Sequence, residues 1–318
     1  MNFAGDRVDF STQPGTVLST TRDFNVLIAD DGDSYSGLAE QFLNDPGAGW
    51  YIRSFNSHSF LKAGDVVVVP RRWLNPRGIT PSAYQTIPIL TYHRFRNATD
   101  RLSVTPQNFR AQLTYLRDNG YTLIRLTDLE DFLAGRRGLP SKTAMIAIDD
   151  GYRSTYKVAF PILRELNVPA VVYMYSDYMN RGGLKTSEMR EMLSSGLIEF
   201  QAHSKTHANF GISDVGESPE RYLKRMKQEV NAPKERIQKL LGNVSTSFAY
   251  PYGITNRTVL ELVEKSRYTT ALTVTRGGVS AFSHPLLLKR SMVFGEYSLG
   301  QFVEQLTVSE SIDLPGSR

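Results

Sequence analysis

The chain of 318 residues contains no cysteine. Disulfides, thiol nucleophiles and zinc fingers are thereby excluded, and any metal must sit on histidine and carboxylates. The absence also fits an exported protein. No run of about 18 apolar residues occurs, so nothing reads as a membrane span. The first residues, Met1 to Arg7, lack the basic segment and apolar run of a secretory signal. Blocks of like charge are missing too. The 37 Lys and Arg are dispersed among 32 Asp and Glu, for a net charge of +5. Nucleic-acid binding is therefore not indicated, and attraction to anionic cell-surface polymer fits the charge as well. The remaining composition, 41% hydrophobic and 22% charged, is that of a soluble globular protein with room for a barrel-sized core and an appendage.

The most informative stretch present is Lys142 to Tyr152. Thr143–Ile148 is apolar or β-branched without charge, as a strand buried on both faces requires. Asp149 and Asp150 stand where that strand ends, and Gly151 breaks it. Two like charges at the mouth of a buried strand need a cation or a proton between them. A second strand pattern, Leu197–Ala202, runs into His203 and His207. The histidine pair then lies on a turn, not on a helix face. Together these residues read as one metal site.

Taken in order, residues 1–22 are a polar lead-in, expected to be poorly ordered with room for a short strand. Phe24–Ile28 reads as a strand. Ser34 or Asp33 caps a helix with Tyr35, Leu38, Ala39 and Phe42 on one face. Trp50–Phe55 suggests a second short helix with Asn56 as a cap after it, and Leu61–Pro70 a turn and closing strand. Residues 71–85, rich in Pro, Gly and polar side chains, read as a linker.

From 86 onward strands and helices alternate. Strands are expected at Ile87–His93, Tyr121–Leu126, Thr143–Ile148, Val168–Met174, Leu197–Ala202, Thr246–Tyr250, Thr269–Val274 and Leu286–Met292. Helices are expected from Pro106 (cap Thr105), over Thr127–Leu133 (cap Thr127), Thr155–Leu166, Ser187–Leu193, Glu217–Leu241, Asn256–Ser266 and Leu299–Leu306. This order predicts a parallel barrel or a doubly wound sheet. In both, function gathers at the C-terminal ends of strands. His93, Asp149, Asp150, His203, His207 and Tyr250–Gly253 all fall there.

Histidine and carboxylate ligands suit Zn²⁺ first, with Co²⁺, Ni²⁺ and Fe²⁺ also compatible. Two histidines and one carboxylate leave positions open for water and substrate. The second aspartate is then free to act as general base.

Ile148-Asp149-Asp150-Gly151, His203-Ser204-Lys205-Thr206-His207 and Phe248-Ala249-Tyr250-Pro251-Tyr252-Gly253 resemble, in order, the first three motifs of the NodB-homology polysaccharide deacetylases (carbohydrate esterase family 4). The resemblance covers residues 86–310, within a catalytic domain expected over 86–318. It implies a distorted (β/α) barrel and metal-dependent removal of acetyl groups from N-acetyl sugars. Asp149 would be the base; Asp150, His203 and His207 the metal ligands; the Tyr252 N–H a donor to the oxyanion. Tyr152, Tyr250 and Tyr252 would stack on sugar rings. The sequence departs from the family at two points. Ala249 stands where an arginine usually pairs with the base, and the late Leu-x-His is not visible. His284 does not fit it. Tyr92-His93-Arg94-Phe95 and Ala249–Gly253 are nearer the poly-N-acetylglucosamine deacetylase branch. On that branch His93 is the candidate general acid; separately, Arg290 is the candidate replacement beside Asp149 for the missing arginine.

The β-α-α-β order over 23–70, with its Gly-Asp-Ser start and Gly-Asp-Val-Val-Val-Val-Pro end, resembles a LysM module. That resemblance implies binding of N-acetylglucosamine polymer between Ala29–Ser34 and Asn56–Leu61. The implied partner is an acetylated glycan: exopolysaccharide, peptidoglycan or chitin. The implied location is periplasm or cell surface. An O-acetyl esterase acting on xylan and a non-catalytic carbohydrate-binding protein are the alternatives. Nothing in the sequence speaks to oligomeric state.

Overall fold

The computed structural model describes residues 15–98 and 100–312; most of the expected lead-in lies outside them. The chain divides into two units, one ending at Pro76 and the other beginning at Arg77.

The first unit holds β1 (Thr16–Thr20), β2 (Phe24–Ile28), α1 (Tyr35–Leu43), α2 (Gly49–Arg53) and β3 (Val66–Pro70). Its antiparallel sheet has the order β1-β2-β3. Ser34 Oγ accepts the Gly37 N–H at 3.1 Å and starts α1. Leu27, Val67 and Val69, alternate positions of their strands, are buried with Leu38, Ala39 and Ile52. Asn56 bonds the Ile52 carbonyl and both backbone groups of Val68, tying the end of α2 to β3. The unit extends past Pro70, where a linker was expected. Trp73 packs on Tyr51 with ring centroids 4.3 Å apart, and the Tyr51 hydroxyl accepts the Leu74 N–H.

The second unit opens with another departure from the expected linker: β4 (Ala83–Gln85) pairs antiparallel with β16 (Ser309–Ser311). The main elements between them are β5 (Ile87–Tyr92), β6 (Arg94–Phe95), β7 (Ser103–Val104), α3 (Pro106–Asp118), β8 (Thr122–Leu123), α4 (Leu126–Leu133), β9 (Thr143–Ile148), α5 (Phe160–Glu165), β10 (Ala170–Met174), α6 (Thr186–Ser194), β11 (Ile198–Ala202), α7 (Pro219–Leu241), β12 (Ser247–Ala249), α8 (Arg257–Lys265), β13 (Thr270–Leu272), β14 (Gly278–Val279), β15 (Ser291–Met292) and α9 (Leu299–Val303).

The sheet runs β13-β12-β11-β10-β9-β5-β14, parallel except for β14, with β15 also pairing parallel to β5. The segment 285–293 closes the curl. At one end Leu288 bridges to Leu272 of β13; at the other Ser291 and Met292 pair with β5. The result is the distorted parallel barrel that the alternating pattern and the family resemblance lead one to expect.

Strands β5, β9 and β10 are buried along their whole length, and the pleat divides their residues between two cores. Leu90, Ile146, Ile148, Val172 and Met174 pack outward with residues of α3, α5 and α6. Ile89, Met145, Ala147, Val171 and Tyr173 pack inward with Leu126, Leu129 and Phe132 of α4. Such two-sided burial explains the unbroken apolar runs, each large side chain contributing roughly 1.5–3 kcal/mol.

Several expected boundaries move, and two of the shifts have a clear cause. The strand over Tyr121–Leu126 shortens to β8, and Thr127 is not a cap. The Leu126 N–H donates to Glu199 and the Arg125 N–H to Asp128, so α4 begins one residue earlier. The strand over Leu286–Met292 is regular only at β15, because the segment divides its pairing between β13 and β5.

Candidate metal centre and active site

The site lies at the C-terminal ends of the parallel strands. Asp149 keeps the inward parity of Met145 and Ala147, and its N–H donates to the Tyr92 carbonyl, extending the β5–β9 ladder by one residue. Strict alternation would turn Asp150 outward. Instead Asp150 adopts φ 70° and Gly151 φ 66°, so the chain reverses and both carboxylates stay at the strand end. Ser204 (φ 70°) and His207 (φ 65°) share this left-handed backbone, as does Tyr252 (φ 58°). Gly253 makes the Tyr252 turn possible: at φ +69° a Cβ there would lie 2.4 Å from the Val274 nitrogen. Left-handed non-glycine residues cost about 1–3 kcal/mol each and gather where function requires them.

Asp150, His203 and His207 offer ligand atoms that all lie within 4.8 Å of one another. Asp150 Oδ1 is 3.3 Å from His207 Nε2 and 3.5 Å from His203 Nε2. That oxygen is buried and accepts no well-formed hydrogen bond. His203 Nδ1 lies 2.7 Å from the Ala249 carbonyl, which assigns its proton to Nδ1 and leaves the Nε2 lone pair facing Asp150. An orphaned carboxylate oxygen and two imidazole nitrogens thus converge, and the donor set fits a divalent cation.

Asp149 is 1% exposed and Arg290 likewise. Arg290 Nη1 donates to Asp149 Oδ1 and Nη2 approaches Oδ2, both at 2.8 Å, while Nε donates to the Thr273 carbonyl at 2.5 Å. Burial raises the Asp149 carboxyl, but Arg290, then His203 and His93, outweigh it and hold it below the usual range. For Asp150 burial is likewise outweighed, by His203 and His207, and the carboxyl lies well below its ordinary value. For His203 burial is outweighed by Asp149 and Asp150, so its value rises. His93 Nε2 stands 4.0 Å from Asp149 Oδ2, and there burial prevails and lowers it.

A cavity of about 320 Å³ opens over these groups and is lined by His93, Asp149, Asp150, His203, His207, Tyr252 and Arg290. Seven of the residues singled out from sequence therefore share one cavity wall. Two tyrosines do not. Tyr250 is fully buried beside Phe248 and donates its hydroxyl to the Leu286 carbonyl, so it is a core residue and presents no face to a sugar. Tyr152 is not among the lining residues: its hydroxyl accepts from Arg94, whose guanidinium lies 4.5 Å over the ring. Tyr252 is 56% exposed and its ring meets His207 edge-on at 4.7 Å.

Sequence reasoning missed other lining residues: Arg101, Leu102, Val274, Met292 and Phe294. The strand-end rule would have found Val274 and Met292. Arg101 and Leu102 come from the segment between β6 and β7, where no periodicity marks them. Tyr175, packed 5.4 Å from the His207 ring, follows β10 and was equally accessible to that rule.

The polysaccharide deacetylase family model matches residues 136–271. The protein YxkH of Bacillus subtilis, whose name also assigns it to the polysaccharide deacetylases, is 26% identical over 61% of this chain and 66% of its own length. The poly-beta-1,6-N-acetyl-D-glucosamine N-deacetylase of Escherichia coli K12 is 25% identical over 66% of this chain and 36% of its own. The chain thus spans about two thirds of the first relative and about a third of the second. Among solved structures, IcaB from Ammonifex degensii superposes with a TM-score of 0.63 at 25% identity, covering 70% of this chain and 97% of that one.

Proposed function

We propose, on the premise that this chain carries a polysaccharide deacetylase domain, that it removes acetyl groups hydrolytically from an N-acetylglucosamine-containing polysaccharide. One observation carries the reading. A buried aspartate ion-paired to arginine adjoins a second aspartate and two histidines whose ligand atoms converge, all in one open cavity.

Asp150, His203 and His207 would hold a divalent cation, Zn²⁺ in the first instance, and the chemistry it would supply is Lewis acidity in the cavity. Asp149 accepts the proton of the attacking water, and Arg290 keeps it ionised and in one orientation. The Tyr252 N–H donates to the oxyanion that forms at the acetamide carbonyl. His93 returns a proton to the departing amine. Tyr252 and Tyr152 border the route of the glycan.

The first unit then acts as a carbohydrate-binding module. In support, the Tyr35 hydroxyl, next after the segment Ala29–Ser34, donates to the His58 carbonyl within Asn56–Leu61, and Phe60 in that second segment is 83% exposed. A tether of this kind raises the effective concentration of substrate. The location that matches such a substrate is periplasm or cell surface.

The decisive experiment is acetate release from N-acetylglucosamine oligomers by chelated protein resupplied with Zn²⁺, Co²⁺ or Ni²⁺, with Asp149→Asn in parallel and acetylated xylan as competitor. Metal-dependent release, lost in Asp149→Asn, is expected. Absence of release with every metal would overturn the reading, and faster release from xylan would move it to ester cleavage.

A further inference from the structure

The buried face of α7 carries an anomaly. Met226, Val230, Pro233 and Ile237 recur at helical spacing and are buried. Glu229 belongs to the same stripe and is 4% exposed. A carboxylate at that depth is costly unless its oxygens are bonded. Both are. Oε2 accepts the N–H groups of Lys205 at 3.0 Å and Thr206 at 2.9 Å, and Oε1 accepts the Thr206 hydroxyl at 2.8 Å. The residue that follows Thr206 is His207.

The loop from Ser204 to His207 has left-handed residues at both ends. Its other ties run to the segment after β10: the Ser176 and Asp177 N–H groups donate to the Ser204 and Lys205 carbonyls. Those ties use the loop's acceptors. Within the loop the His207 N–H donates to Ser204 Oγ at 2.9 Å, and Glu229 takes the backbone donors of the two residues between, Lys205 and Thr206. Pro233, one turn beyond Glu229, has no N–H, so the Glu229 carbonyl lacks its regular helical partner and the ring crowds it. The helix is thus irregular at the residue that reaches into the loop.

We infer that Glu229 is a positioning residue of the metal centre: it fixes the backbone of the loop that carries His207, and through it the place of His207 Nε2 beside Asp150 and His203. The inference rests on the metal-centre reading given above. A merely structural Glu229 would affect stability and leave metal affinity alone. A positioning Glu229 acts on affinity through His207.

The test uses the full chain, stripped of metal, with Zn²⁺ affinity measured by competition against a chromophoric chelator. Glu229→Gln, which cannot accept from all three donors, is expected to weaken Zn²⁺ binding about 10–100-fold. Thr206→Val, which removes the hydroxyl bond alone, weakens it less and serves if Glu229→Gln does not fold. Combined with His207→Ala, Glu229→Gln adds no further loss, because the group it positions is gone. Unchanged affinity in both single variants would overturn the inference, whatever their unfolding temperatures. So would a full additive loss on the His207→Ala background. Failure of the wild-type chain to bind any divalent metal would instead overturn the metal-centre reading, and this inference with it.

Discussion

Arg290 grips both oxygens of Asp149 at 2.8 Å across 141 residues of sequence. Both side chains are buried, so neither charge is tolerable without the other. Removing one partner of such a pair costs about 3–5 kcal/mol, and a lysine cannot reproduce the two-pronged contact. Arg290→Lys is therefore the informative variant. It is expected to retain bound metal and lose roughly 10²–10³ in kcat. Steady-state kinetics with metal content measured on the same sample checks this; wild-type turnover would remove Arg290 from the mechanism.

Metal binding should register in stability independently of activity. With free Zn²⁺ at 100 times its Kd, the folded state gains about 2.7 kcal/mol. For the second unit, residues 77–318, that corresponds to roughly 5–10 °C in unfolding temperature. Calorimetry with chelator and then with Zn²⁺ reads the shift. Asp150→Asn should abolish it, and a shift that survives in this variant would place the ion elsewhere.

His93 is tested by the leaving group. If it protonates the amine, His93→Gln loses about 10²–10⁴ in turnover on an N-acetyl sugar. On an activated aryl acetate, whose leaving group needs no proton, the same variant should lose far less. Equal losses on both substrates would assign His93 to the structure of the cavity instead.

Glu199 gives a pH-dependent prediction remote from the cavity. Burial raises its carboxyl above the ordinary value, although the Leu126 N–H bond opposes this. An acid raised in the folded state contributes stability below its unfolded value and loses it as pH climbs through the folded one. Glu199→Gln keeps an oxygen for Leu126 and has no charge to bury. Its unfolding temperature should match the wild type near pH 4 and exceed it near pH 8. A gap that does not grow with pH would contradict this.

The sequence made much of this legible because the strands carrying the site are buried on both faces. Unbroken apolar runs such as Thr143–Ile148 announce themselves, and the charged residue that ends each run marks the catalytic edge. Less was readable where tertiary contacts overrule local pattern. The start of α4 shifted because Glu199, from another strand, bonds the Leu126 N–H. Tyr250 looked surface-bound because it sits in a motif, yet its hydroxyl has a private partner in the Leu286 carbonyl. The short antiparallel β14 lacks any run of apolar residues to betray it. Glu229 was visible in principle as the lone carboxylate on the apolar stripe of α7, but its three partners lie on a loop that no periodicity describes.

The closing segment 285–293 has a consequence for the order of assembly. Asp149 and Asp150 emerge in β9 long before Arg290 exists in the growing chain, and β5 finds its last neighbour, β15, some two hundred residues later. Pairings so distant in sequence are slow to form. Until that segment docks, Asp149 lacks the guanidinium that pairs with it, and the barrel has two open edges at Leu90 and Leu272. On the proposed metal-centre reading, a divalent cation captured by Asp150, His203 and His207 during folding would offset that uncompensated charge early, and so would serve as a template for the half-built barrel.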